Sequence, residues 1–92
     1  MSAQHTPGPW VAHGHYVYAV SVGTVARAEW FSPKKADTET RRANARLIAA
    51  APDLFAALRL LVSTASTQPL DVKRLMAGFN AARAAIAKAE GR

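Results

Sequence analysis

A group of cations near the middle of the chain has the clearest chemical potential. Five cations fall within one short span: Lys34, Lys35, Arg41, Arg42 and Arg46. Arg42 and Arg46 are four residues apart, which places them on one face of a helix. Guanidinium groups bind phosphate oxygens through paired hydrogen bonds, and Asn44 adds an amide for a base or a ribose. The span therefore indicates an anion site or, alternatively, a solvated basic face that Asp37 and Glu39 partly offset.

Groups that perform catalysis are sparse. The chain has no cysteine, which excludes thiolate catalysis, disulfides and cysteine-based zinc sites. Its six aspartates and glutamates are scattered, and no spacing pairs two of them, or one with a histidine, for acid–base work. Neither a nucleophile elbow nor a glycine-rich phosphate loop is present. We expect a protein that is not an enzyme and needs no cofactor.

Two histidines stand close together without indicating a metal site. His13 and His15 flank Gly14, and a glycine turn between them spoils a shared face. Zinc needs a third or fourth ligand, for which only His5 is near in sequence. We expect surface histidines at a hairpin.

The charge balance points to an anionic partner. Twelve lysines and arginines against six acidic residues give a net charge of +6. Such a surface attracts nucleotides, nucleic acid or acidic proteins, although it also keeps a small protein in solution. No secretory signal and no membrane-length apolar run is visible, so the sequence predicts a cytoplasmic protein without membrane contact.

The first eight residues predict an extended arm. Pro7 and Pro9 restrict the backbone, Gly8 permits a close approach, and Trp10 supplies a large apolar anchor. The arm has two interpretations. It borders a ligand pocket, or it only covers a sheet edge.

The rest of the chain predicts a single α+β domain over residues 1–92. Residues 9–31 are rich in Val, Tyr and Trp with glycine at the breaks, which predicts a three-stranded antiparallel β-meander. Two to three helices follow: residues 37–63, kinked or broken at Pro52, and a C-terminal helix over residues 70–90. Alanine-rich helices in so short a chain bury little area, so we expect a homo-oligomer.

Two motifs resemble those of a known group of proteins. HTPGPW at residues 5–10 and NARLIAAAPDL at residues 44–54 resemble the signature of small accessory proteins encoded by tailed bacteriophages and prophages. The ending ARAAIAKAEG is similar to theirs as well. The resemblance implies a β-rich N-terminal half, a helical C-terminal half and a location in the cytoplasm of the bacterial host.

The phage resemblance also implies a class of function. Small accessory phage proteins act on the host, and some are oligomeric sponges that hold immune signals without cleaving them. With excess arginine and few catalytic groups, the leading hypothesis is a phage protein that counteracts bacterial immunity by sequestering an anionic, nucleotide-derived signal. The alternative is a phage accessory protein that binds DNA or a host protein through its basic face. The residues predicted to bind the ligand are His5, Thr6, Trp10, Arg42, Asn44 and Arg46.

Overall fold

A computed structural model describes residues 4–28 and 38–92. Three strands are followed by three helices: β1 (Trp10–His13), β2 (Tyr16–Ala19), β3 (Gly23–Arg27), α1 (Thr38–Ala49), α2 (Ala51–Ala65) and α3 (Val72–Ala89). The predicted α+β fold with an antiparallel meander is confirmed. The described residues do not include residues 29–31 of the predicted meander, nor Lys34, Lys35 and Asp37 of the predicted basic span.

The sheet has the order β1-β2-β3 and contains one β-bulge. Between the two strands, Val17 of β2 pairs with Ala26 of β3, and the next residue of β2, Tyr18, pairs with Thr24. The bulge therefore leaves Val25 of β3 without a pairing partner in β2. Strict alternation along β3 would place Thr24 and Ala26 on the same face, but the extra residue switches the faces. The buried face carries Val17 and Ala19, which are 0% and 1% exposed.

The core lies where α1 covers this face of the sheet. Val17, Ala28, Ala45 and Ala49 form its buried centre, and Trp10 packs against them. The small α1 side chains let the helix approach the sheet closely, but they bury little apolar area. The largest fully buried side chains of the described residues are only Val17 and Thr64.

The predicted break at Pro52 is confirmed. Helix α1 ends at Ala49 and α2 begins at Ala51, with Pro52 in its first turn, and the two helices are bent by 41°. Proline lacks the N–H that would continue the hydrogen-bond ladder. Among the described residues, no single helix is both long and apolar enough to cross a membrane; α1 from Glu39 and α2 reach that length and composition only as this bent pair.

Helices α2 and α3 form a hairpin with a narrow contact line. The line runs along Ala57 and Thr64 of α2 and along Gly78 and Ala85 of α3, all of which are buried. A Cβ added at Gly78 would lie 2.7 Å from the Cδ2 of Leu61. The helices therefore approach through their smallest residues, and the larger apolar side chains of α3 stay outside the line.

Candidate functional site

The N-terminal arm lies across the start of α2. A Cβ added at Gly8 would lie 3.0 Å from the Cβ of Pro52, so this contact depends on glycine. The indole Nε1 of Trp10 donates a hydrogen bond to the carbonyl of Thr6 at 3.1 Å, which folds the arm back on its anchor. The arm therefore contacts α2 at Pro52.

The arm brings His5 against an aromatic side chain of α2. The rings of His5 and Phe55 meet edge to face, with their centroids 5.8 Å apart. The guanidinium of Arg59, one helical turn further, lies 5.6 Å from the centroid of the Phe55 ring. Because the Phe55 side chain is 49% exposed, its ring is available to a ligand as well as to these neighbours.

Two surface clefts meet at this cluster. The first has a volume of about 240 Å³ and is lined by His5, Trp10, Ala51, Pro52 and Phe55. The second has a volume of about 450 Å³ and is lined by Gln4, His5, Pro7, Phe55 and Arg59. Since both clefts include His5 and Phe55, one ligand can span them. We call these two clefts together the arm cleft.

The arm cleft combines an apolar surface with one cation. Trp10, Pro52 and Phe55 offer flat, apolar surfaces of the kind on which a base stacks. The Arg59 side chain has no carboxylate within salt-bridge distance among the residues that the structure describes. A cation at the edge of an aromatic surface suits a ligand that has both a ring and an anionic group.

The six predicted ligand-binding residues do not form one cluster. The structure brings His5, Thr6 and Trp10 together in the arm. Asn44 lies instead in a separate cleft of about 350 Å³ with Arg27, Ala28, Leu47 and Ile48. Asn44 and Arg42 are two residues apart in α1, and this spacing turns their side chains to opposite sides of the helix.

The two predicted arginines of α1 have separate surroundings. Arg42 is exposed and lies 3.8 Å from Glu39 in a surface ion pair. The Nε of Arg46 is buried without a hydrogen-bond partner among the described residues, and a Cβ added at Gly91 would lie 2.7 Å from it. Arg46 therefore sits under the end of α3, and it does not line either part of the arm cleft. Whether these two side chains bind a ligand stays a prediction.

Sequence reasoning missed the two residues that complete the arm cleft. The helical spacing of α2 predicts Phe55 as a core residue, whereas its side chain is half exposed. Arg59 lies outside the group of five cations between Lys34 and Arg46. The available signal was the four-residue spacing of Phe55 and Arg59, which places a cation over a ring on a helix surface.

The described residues offer little for metal binding or proton transfer. They contain no group of three or more metal-ligating side chains. In the arm cleft, the Nδ1 of His5 is 3.1 Å from the carbonyl of Thr6. The lining residues of both clefts include no carboxylate. Among the described residues, the lining of the arm cleft therefore pairs His5 with no carboxylate.

Fold and cleft together define a small α+β protein with a basic surface and an aromatic cleft between its N-terminal arm and a helix. The whole chain, residues 1–92, matches the family described as Salmonella phage P22 protein Y8K6, and the chain belongs to this family. No significant match was found among curated proteins or among solved structures. Membership in a phage family agrees with the origin that the two sequence motifs imply.

Proposed function

We propose that this member of a phage family is a non-enzymatic binding protein that sequesters a nucleotide-derived signal of host immunity in the arm cleft. The single observation that carries the proposal is the exposed ring of Phe55 with the guanidinium of Arg59 5.6 Å from its centroid. A sponge needs only to bind its target, so the proposal calls for no catalytic group.

The apolar part of the arm cleft suits a nucleobase. Trp10 lines the first cleft from β1, and Pro52 and Phe55 line it from α2. Stacking of one base on an aromatic side chain contributes about 1–3 kcal/mol. The arm limits the entropic cost of binding because its prolines and the Trp10 hydrogen bond already order it.

The cationic part of the arm cleft suits a phosphate. The planar guanidinium of Arg59 offers paired donors to phosphate oxygens. Arg59 lines the second cleft and forms no ion pair with another described residue. The net charge of +6 adds a long-range attraction for an anionic ligand. Binding of a nucleotide by these groups requires no metal and no catalytic residue.

Isothermal titration calorimetry with cyclic mononucleotides, cyclic dinucleotides and ADP-ribose derivatives tests the proposal. We expect at least one of these compounds to bind, and Phe55→Ala to weaken its binding about tenfold or more. Arg59→Ala should weaken it through loss of the phosphate contact. Arg74→Ala on α3 makes the same change of charge far from the arm cleft and should leave binding unchanged.

The same experiment distinguishes the alternative function. Arg59 on α2 and Lys73 and Arg74 on α3 are among the described cations that form no ion pair with another described residue. These cations lie on two helices and do not concentrate on one face, as DNA binding would require. Binding of duplex DNA that falls steeply with salt, without binding of any compound of the panel, contradicts the nucleotide proposal. Turnover of a bound compound would contradict the non-enzymatic part of it.

A further inference from the structure

We infer that one face of the α2–α3 hairpin is the interface with a second copy of this chain. Its exposed apolar side chains are Leu58 and Val62 on α2 and Phe79 and Ile86 on α3, which we call the hairpin face. They are 59%, 63%, 43% and 47% exposed. This inference is argued from residues other than those of the arm cleft, although the cleft that Leu58 and Val62 share also includes Phe55 and Arg59.

Helical geometry places these side chains on a common side of the hairpin. Each step along a helix turns the side-chain direction by about 100°. The residues just before the contact line, Ala56 and Ala84, line one groove between the helices. Leu58 follows the contact residue Ala57, and Phe79 and Ile86 follow Gly78 and Ala85. Leu58, Phe79 and Ile86 each follow a contact-line residue in sequence, so their side chains point away from that groove on both helices.

Val62 and two neighbouring leucines continue the apolar surface of the hairpin face along both helices. Val62 shares a surface cleft with Leu58, and Leu61 and Leu75 are half-buried at the edge of the contact line. The face thus continues across both helices, whereas the opposite groove is lined mainly by alanines and the Asp53–Lys88 ion pair.

The area of the chain argues for an obligate partner. A compact protein of 9.8 kDa exposes about 5,200 Å² of surface, whereas this chain exposes 6825 Å². The excess of roughly 1,600 Å² is about twice the 800 Å² that one partner contributes to an interface of standard size. A dimer with an interface of standard size on the hairpin face would therefore remove about half of this excess.

The shape of the hairpin selects a second copy as the partner. Inside the hairpin the buried residues are the small ones, Ala57, Thr64, Gly78 and Ala85, while Phe79 and Ile86 of α3 stay 43% and 47% exposed. Two such hairpins packed face to face form a four-helix bundle, with the leucine, valine, isoleucine and phenylalanine side chains in its centre. A two-fold axis through the face lets each copy present the same residues to the other.

Light scattering and sedimentation over a range of protein concentrations test the dimer. We expect a mass twice 9.8 kDa for the wild type, and 9.8 kDa for Leu58→Glu and Phe79→Glu, because each buries a carboxylate in the interface. Val20→Glu is the matched control: Val20 is 71% exposed and lies in the turn between β2 and β3, so this variant should stay dimeric.

A second measurement does not depend on charged variants that fold poorly. The chain has no cysteine, so Phe79→Cys and Val20→Cys each introduce a single thiol. With a flexible bis-maleimide linker that spans the interface, at protein concentrations where random collisions crosslink little, Phe79→Cys should form a crosslinked dimer much faster than Val20→Cys, because a direct disulfide would require the two thiols to lie next to the two-fold axis. A monomeric wild type at all concentrations overturns the inference. An assembly that survives both glutamate substitutions also overturns it, because its contacts then lie elsewhere. Equal crosslinking of the two cysteine variants overturns it as well.

Discussion

The ammonium group of Lys88, near the end of α3, lies 2.7 Å from a carboxylate oxygen of Asp53, in the first turn of α2. The two side chains are 34% and 43% exposed. This ion pair connects residues 35 positions apart in sequence and fixes the open end of the α2–α3 hairpin. Asp53 also lies at the positive end of the α2 dipole, which favours its negative charge.

We predict that this pair contributes a measurable but small stabilisation. A double-mutant cycle with Asp53→Asn and Lys88→Met should give a coupling free energy of about 0.5–1 kcal/mol from urea unfolding at low salt. The coupling should shrink in about 1 M salt, where charges are screened within ~3 Å. Lys73→Met, at the other end of α3, should show no coupling with Asp53→Asn. A coupling of zero at low salt would show that the pair is only a solvated contact.

We predict that Gly78 tolerates no β-branched side chain. Gly78→Val places its Cβ 2.7 Å from Leu61 and adds two more methyl groups to the hairpin contact line. Overpacking of this kind costs about 1–3 kcal/mol, which outweighs the roughly 0.5 kcal/mol or less that valine gains over glycine in helix propensity. Thermal and urea unfolding of the variant measure the loss. Ala77→Val, on the exposed side of the same turn, should cost much less, and equal costs for both would refute the close approach of the helices.

We predict that the Asp71 side chain caps α3. Its carboxylate accepts a hydrogen bond from the backbone N–H of Arg74 at 3.2 Å. Asp71→Ala should lower the free energy of unfolding by about 1 kcal/mol. Asp71→Ser keeps an acceptor and should restore most of that loss, as followed by circular dichroism during urea unfolding. If serine is as destabilising as alanine, the capping role is wrong.

We predict that the Trp10 hydrogen bond holds the arm in place. Trp10→Phe keeps a large aromatic anchor but leaves the Thr6 carbonyl without its donor, which should cost about 1 kcal/mol. Nuclear magnetic resonance relaxation should then show increased motion for residues 4–9. Tyr16→Phe is a suitable control, because the Tyr16 side chain is 41% exposed and its hydroxyl makes no hydrogen bond to any residue that the structure describes. An arm that is equally ordered in both variants would show that Pro52 alone positions it.

Much of the fold could be predicted from the sequence because its signals are local. Glycines mark the strand breaks, and Gly14 and Gly23 indeed adopt positive φ angles of 63° and 116°. Pro52 cannot continue the helix before it, and Gly91 ends α3 with a φ of 76°. These effects depend on the backbone of one residue and its neighbours, so they are visible without knowledge of the packing. The β-bulge at Val25 is not visible, because it depends on how β3 pairs with β2.

The candidate site could be predicted only in part. His5, Thr6 and Trp10 form a continuous segment that the prolines order, so their proximity follows from sequence. Phe55 was expected in the core because it lies on an apolar stripe of the helix. However, α2 carries apolar residues on several sides, and periodicity cannot show which side is buried. Arg46 was expected to reach a ligand with Arg42, but the end of α3 covers its Nε. That placement depends on the path of the whole hairpin.

The contact of Gly8 with Pro52 has an evolutionary consequence. The two positions belong to the two motifs that are most distinctive in this chain, although more than forty residues separate them. A larger side chain at position 8 collides with the ring at position 52 unless that ring also changes. Related phage sequences should therefore show these two positions varying together, and a lineage that loses one of them should tend to lose the other.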